Sequence, residues 1–460
     1  MEKPREKFLK IGNPKKLETE ELLSILLSHG TEKTNVYDLS IKISDFLRLK
    51  TDKAVSIEEL MQFEGIGEVK AMQILSALEL GRRYFNNSEN KKLSVDDWDF
   101  SNLKQSQRQN GVHFFHHYTA KFIPQIPANI IKRYIGRNRI VVDPFMGSGT
   151  TLVEAKLFGC HSYGLDTNPM AIKIANSKTL IINEERISEI RTFLYWLKQE
   201  IQKSSNFNID PEEELLFNNS HLWFRPDVAQ KIKIIISRIE FLSPDVKNFI
   251  EVGLSTLLKG ISNARMDSVT PVLPDGPNYV DRKHYYRNVD NLTRKIPVYE
   301  RLYSQINRMT SAILEFNKET DSKLICNPIL GDARHLDEFV NLCDLVITSP
   351  PYWSAQNYER IHMLSMKLFN LDINGGLEIG RNEKAYFDDM KSVFIQIANI
   401  LHGHFAFVIG HDENNNSHEK LFYLALDIGF NHVDTARRNI SNQVSRAKQI
   451  KTEYIYIFSI

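Results

Sequence analysis

Two short stretches combine residue types suited to chemistry. Thr348-Ser349-Pro350-Pro351-Tyr352-Trp353 follows the apolar run Leu345-Val346-Ile347. A small hydroxyl, a rigid Pro-Pro step and two aromatics at a strand end make a floor on which a flat ring can lie. Asp143-Pro144-Phe145-Met146-Gly147-Ser148-Gly149-Thr150 follows a second apolar run, Ile140-Val141-Val142. Gly147 and Gly149 let the backbone approach a ligand closely. Asp143 can accept a hydrogen bond from an amine. Together the stretches predict a cofactor pocket beside a pocket for a planar base.

The loop at 143–150 lacks both a lysine and the GxxxxGK[ST] pattern, which argues against a nucleoside triphosphate. GxGxxG is absent too, which weakens NAD or FAD. A carboxylate with glycines and no phosphate-binding lysine fits a ligand with an ammonium group and no phosphates, and S-adenosylmethionine is such a ligand. Gly164-Leu165-Asp166-Thr167-Asn168-Pro169 ends the next apolar run, where an acid can take both ribose hydroxyls. Gly331-Asp332-Ala333 ends a third, and its carboxylate can accept from an adenine amino group. Each acid alone reads as a helix cap or turn residue. Three at successive strand ends point to a ligand. The expected cofactor residues here are Asp143, Pro144, Phe145, Gly147, Ser148, Gly149, Thr150, Asp166, Asn168 and Asp332.

These loops need a sheet to align them. Strand 140–143, helix 151–158 and strand 161–166 form a strand-helix-strand rhythm, the signature of a parallel, doubly wound sheet. Further strands are expected near 329–332, 344–347, 404–409 and 453–458. Residues 180 to 320 read as mostly helical. The fold class is therefore α/β, with a helical insertion and an all-helical N-terminal domain. The expected boundaries are 1–85, a polar linker 86–110, a first sheet part 111–180, the insertion 181–324 and a second sheet part 325–460.

The glycine loop with Thr348 to Tyr352 resembles the amino-group DNA methyltransferases, which methylate cytosine N4 or adenine N6 with S-adenosylmethionine. The segment His116-His117-Tyr118-Thr119-Ala120-Lys121-Phe122-Ile123-Pro124 is similar to the one preceding their cofactor loop, and adds Lys121 and Phe122 to the cofactor residues. The resemblance covers 111–180 and about 325–460. It implies a Rossmann-like methyltransferase sheet and a base flipped out of its duplex. It implies Ser349 and the Pro350 carbonyl as acceptors for the amine hydrogens, Pro351 as the rigid turn and Tyr352 stacked on the base. Ser rather than Asp at 349 tilts the substrate to cytosine N4. Adenine N6, RNA guanine N2 and a non-enzymatic DNA-binding role stay open. Double-stranded DNA is the implied partner, and the family leaves room for a cognate restriction endonuclease. Loop-first order resembles the α and γ groups, but here the insertion precedes the Gly331-Asp332 strand.

Basic and aromatic residues interleave in that insertion. Arg265, Arg282, Lys283, Tyr285 and Arg287 can neutralise phosphates or stack on bases. Position makes the insertion the candidate target-recognition region. Arg437 and Arg438 begin a second patch, expected to face nucleic acid. Residues 1–85 resemble the N-terminal domain of RadC-type proteins, through Pro4-Arg5-Glu6-Lys7-Phe8-Leu9, Gly65-Ile66-Gly67 and Leu78-Glu79-Leu80-Gly81-Arg82-Arg83. That domain contains a helix-hairpin-helix, which implies phosphate binding through Gly65, Gly67 and Lys70.

Bulk composition excludes little. Across 460 residues, 42% are hydrophobic and 25% charged, with net charge +1, so any nucleic acid must be met by local patches. Cys160, Cys326 and Cys343 show no metal spacing, and no metal is expected. The absence of an apolar signal or spanning run leads to an expectation of a cytoplasmic protein with no membrane partner.

Overall fold

The computed structural model describes residues 4–11, 17–29, 35–48, 55–85, 98, 100, 103, 111–118, 122–203, 214–266, 268–273, 296–351, 358–372, 382–411, 416–439 and 452–460. The chain divides into two compact units, Met1–Asn90 and Lys91–Ile460.

The first unit holds α1 (Pro4–Ile11), α2 (Thr19–Leu27), α3 (Val36–Arg48), α4 (Ile57–Met61) and α5 (Glu68–Phe85). Apolar residues at helical spacing bury one shared core of Leu23, Leu27, Leu39, Ile43, Leu60, Ile66, Ala71 and Ile74. A capping box starts α4: the Ser56 hydroxyl accepts from Glu59 N at 3.2 Å and the Glu59 carboxylate accepts from Ser56 N at 3.0 Å. Gly65, at φ 99°, sits in the turn between α4 and α5.

The second unit is built on a seven-stranded sheet. Its elements run α6 (Gln125–Tyr134), β1 (Ile140–Asp143), α7 (Thr150–Phe158), β2 (His161–Asp166) and α8 (Pro169–Thr179). The helical region follows with α9 (Glu184–Lys203), α10 (Ser220–Trp223), α11 (Pro226–Ile239), α12 (Pro244–Ile261) and α13 (Val298–Glu319). Then come β3 (Cys326–Leu330), β4 (Cys343–Thr348), α14 (Tyr358–Leu368), α15 (Glu383–Ile400), β5 (Leu401–His411), α16 (Ser417–Ile428), β6 (Asn431–Asn439) and β7 (Thr452–Ser459).

The strand order is β3-β2-β1-β4-β5-β7-β6, with β7 antiparallel to both neighbours. This is the expected Rossmann-like sheet. Strand order reverses between β1 and β4, so their carboxyl ends flank the switch point where such sheets bind ligands. Pro328 lies in β3, an edge strand, where a missing N–H is tolerated.

Alternation along the strands sends successive side chains to opposite faces. Val142, Val346, Phe405 and Phe407 pack with α15 and α16. Val141, Leu345, Ile347, Ala406 and Val408 pack on the other face with Ile126, Ile130 and Ile131 of α6 and Ala155 of α7. Helices α9 and α11 to α13 form a third core with Met170, Ala171 and Ile174 of α8, Val153 of α7 and Leu364 and Leu368 of α14. No strand residue belongs to that core, so this region forms an outer helical layer.

Arg437 and Arg438, expected in a nucleic-acid-facing patch, lie instead within strand β6. Its burial pattern is mostly exposed and carries no apolar alternation, so periodicity had nothing to detect.

Candidate active site

Asp143 ends β1 and is 1% exposed. Its carboxylate accepts from the Thr151 hydroxyl at 2.6 Å, the Thr348 hydroxyl at 2.8 Å and Phe145 N at 3.1 Å. These bonds tie β1 to the start of α7 and to the last residue of β4. Burial pushes its pKa up to about 6 against the pull of those donors.

The glycine loop turns tightly after Asp143, with Gly149 N donating to Met146 O at 2.9 Å. Gly147 and Gly149 take φ of 50° and 75°. A Cβ on Gly149 would lie 2.8 Å from the Ala175 Cβ of α8, so a larger residue fails on both conformation and space. Asp166, at the end of β2, accepts from Gly147 N at 3.0 Å and Asn168 N at 2.8 Å. Burial lifts its pKa to about 6 as well. Asn168 caps α8 by accepting from Met170 N at 2.9 Å, and Pro169 follows at the first helical position.

The Ser-Pro-Pro segment begins directly after Thr348. Ser349 and Pro351 are half-buried and Pro350 is buried. The Tyr386 hydroxyl of α15 donates to Pro351 O at 2.9 Å. Tyr386 is itself 1% exposed and was invisible to sequence reasoning, since its only signal is an apolar position on an amphipathic helix. Tyr352 and Lys121 lie outside the described residues. Phe122 is buried in the core beneath the sheet with Ile126 and Ile130. Tyr118 lies over Gly147, 3.1 Å from where a Cβ would be, and stacks on His362 of α14 with ring centroids 5.1 Å apart. Burial lowers the His362 pKa to about 4, with His117 adding to the effect.

Asp332 has a different environment from the other two strand-end acids. Both its oxygens accept from the Arg334 guanidinium, at 2.6 to 3.1 Å, and Arg334 also reaches Asp389 at 2.9 Å. Burial pushes its pKa up, but the Arg334 bonds outweigh it and hold the carboxyl below its usual range.

Among the described residues, those expected to meet DNA differ in exposure and partners. Arg265 is half-buried beside the end of α12, and its N–H donates to Val272 O at 2.9 Å. Arg282, Lys283, Tyr285 and Arg287 lie outside the described residues. Arg437 is exposed, whereas Arg438 is 7% exposed and pairs with Glu453 of β7 at 2.8 Å. Alternation in β6 turns adjacent arginines to opposite faces. In the first unit, Lys70 donates to His29 O at 2.7 Å and Gly65 O at 3.0 Å.

The stretch that carries β1, the glycine loop and β2 also matches a known family: residues 50–177 match the DNA methylase family model. Residues 50–177 are thus similar to the DNA methylases. A second model, UPF0758 N-terminal, matches residues 1–72. The Type II methyltransferase M.MjaII of Methanocaldococcus jannaschii is 24% identical, over 78% of this chain and 83% of its own length. The Type II methyltransferase M.MvaI of Kocuria varians is 27% identical, over 58% of this chain and 60% of its own. The UPF0758 protein YsxA of Bacillus subtilis is 51% identical over 18% of this chain, which spans 36% of that protein. Among solved structures, the rRNA methyltransferase aviRa from Streptomyces viridochromogenes aligns at 11% identity, over 78% of this chain and 93% of its own, with a TM-score of 0.32. That likeness is too loose to weigh beside the strand order.

The similarity to DNA methylases implies S-adenosylmethionine as cofactor. Thr150 Oγ1 and Asn168 Nδ2 are buried with no hydrogen-bond partner among the described residues. They stand at the first residue of α7 and at the cap of α8, and the Asp166 carboxylate keeps spare lone pairs on both oxygens. Buried polar atoms without partners are rare and call for one. A polar ligand with hydroxyl groups would supply it. No group of metal-binding side chains occurs among the described residues, and no described helix is long and apolar enough to cross a membrane.

Proposed function

We propose that this methyltransferase acts on an exocyclic amino nitrogen of a flipped-out base in double-stranded DNA, and that the base is cytosine at N4. The observation that carries the reading is the Thr348–Asp143 hydrogen bond at 2.8 Å, which fixes the residue before Ser349 to the first residue of the cofactor loop. Bound S-adenosylmethionine supplies an electrophilic methyl group. The chain's part is to hold and orient. An amine conjugated to a ring is a poor nucleophile, because its lone pair is delocalised. The Ser349 hydroxyl and the Pro350 carbonyl accept its hydrogens and favour a more tetrahedral nitrogen. Tyr352 stacks on the ring. Holding both reactants in line supplies much of the rate.

In this reading Asp166 and Asn168 hold the ribose, and Thr150 adds a hydroxyl. Asp143 acts through the scaffold, because its oxygens already serve two threonines and a backbone amide. Asp332 keeps an adenine role only if its amino-group contact is shared with Arg334.

The helices of 181–324 and the segment 265–300 within them are the target-recognition region, with Arg265, Arg282, Lys283, Tyr285 and Arg287 meeting DNA. Arg437 adds an exposed cation. The N-terminal unit binds backbone phosphate through the Gly65 and Gly67 amides at the start of α5. Lys70 contributes once it exchanges a carbonyl for a phosphate. The two Type II relatives favour a cognate restriction endonuclease as partner.

Offering labelled methyl donor with equal amounts of mixed-sequence DNA and total RNA tests the substrate class. Label in DNA alone is expected. Label in RNA alone overturns the proposal in favour of a guanine-N2 enzyme.

A further inference from the structure

Lys178, in the last turn of α8, is fully buried. Its ammonium donates to the Ser148 backbone oxygen at 2.9 Å and to the Ser148 hydroxyl at 3.0 Å. The glycine loop has no lysine in its own sequence, and the fold delivers one from thirty residues downstream. Burying an ammonium is costly, and only well-made charge-assisted hydrogen bonds offset it. The negative end of the α8 dipole contributes in the same direction. The bonded carbonyl belongs to the turn that Gly149 N closes onto Met146 O. Peptide planarity means that fixing the Ser148 oxygen also fixes the direction of the Gly149 N–H.

Helix α8 is held in turn from the helical layer. Asn248 of α12 donates through Nδ2 to Lys173 O and to the Ser177 hydroxyl, each at 2.9 Å. Lys173 pairs with Glu251 of α12, which is 4% exposed. Met170, Ala171 and Ile174 pack into the layer's core. Asn248 therefore grips the residue next to Lys178, while Lys178 grips the loop.

We propose that Lys178 is a positioning residue for methyl-donor binding, and that α12 sets its position through α8. The helical layer then has a second task besides any contact with DNA: it sets the shape of the cofactor loop. The proposal rests on the reading that the glycine loop holds S-adenosylmethionine.

The test measures S-adenosylmethionine affinity by titration calorimetry, and KM for donor and for DNA separately, in full-length wild type, Lys178→Met, Lys178→Arg and Asn248→Ala. Removing a charge-assisted hydrogen bond is expected to raise the donor Kd about tenfold or more in Lys178→Met. The KM for DNA stays unchanged, and Lys178→Arg recovers part of the loss. Asn248→Ala, which touches no loop residue, raises the donor Kd by roughly two- to fivefold through one neutral bond-pair lost. Wild-type donor affinity in Lys178→Met overturns the proposal. Should that variant not fold, Asn248→Ala decides, and wild-type affinity there overturns the coupling to α12. A wild-type protein that binds no S-adenosylmethionine overturns the cofactor reading itself, and this proposal with it.

Discussion

The Thr348 hydroxyl donates to the Asp143 carboxylate at 2.8 Å, across the switch point of the sheet. The last residue of β4 and the last residue of β1 are thereby locked at one height, and Ser349 starts from that fixed point. Thr348→Val keeps the shape and removes the donor. It leaves a fully buried carboxylate with one bond fewer, which is expected to cost about 1–3 kcal/mol of stability. Chemical denaturation checks the loss, and kcat should fall with it because the two pockets lose their common register. Unchanged stability and turnover in Thr348→Val would show that the bond positions nothing.

Tyr386 offers a cleaner probe of the base pocket. Tyr386→Phe frees the Pro351 carbonyl while keeping the ring in its core. Losing one neutral hydrogen bond to the rigid turn predicts a fall in kcat of about tenfold with little change in donor KM. Steady-state kinetics with saturating DNA reads this directly. An equal rise in donor KM would place Tyr386 in cofactor binding instead.

The strand ends that carry the candidate site were legible in sequence, because local pattern and position coincide there. Apolar runs ending in Asp143, Asp166 and Thr348 mark both the strands and the sheet edge proposed to bind the cofactor. What stayed hidden depends on tertiary placement. Lys178 and Tyr386 lie on helices where their positions read as ordinary surface charge and ordinary core. Asp332 looked equivalent to Asp166, yet Arg334 two residues on takes both its oxygens. Arg438 looked like half of a basic pair, but strand alternation turns it inward to Glu453. Strand β6 has no alternating pattern, because its partner β7 and not its own side chains fixes it in the sheet.

Titration of Asp166 sets a pH window. Burial raises its folded pKa to about 6, above the unfolded value. A raised carboxyl binds a proton more readily when folded, so its ionisation destabilises the unliganded protein as pH rises from about 4 to 6. Cofactor binding runs the other way, because the ionised carboxylate is the better acceptor for hydroxyl donors. Donor affinity is therefore expected to fall by up to roughly tenfold per pH unit below about 6. Calorimetry between pH 5 and 7.5 measures it. Asp166→Asn should bind weakly with a flattened profile, and an unaltered profile would assign the titration to another group.

Deleting 265–300 removes the segment proposed to read sequence while leaving the β1, β2 and β4 strand ends intact. Site-specific methylation should be lost and donor binding retained. Truncating residues 1–85 should instead weaken DNA affinity without moving the methylated site, with a smaller salt dependence because phosphate contacts are lost. Filter binding at several salt concentrations separates the two. An unaltered site preference in the first variant, or unaltered affinity in the second, contradicts the role assigned to that segment.

Ser349, held beside the cofactor loop, is proposed to present cytosine N4 to the methyl donor. The most direct test is methylation of mixed-sequence DNA followed by mass analysis of the released nucleosides. N4-methylcytosine is the predicted product, absent with Ser349→Ala. N6-methyladenine as the sole product would contradict the account.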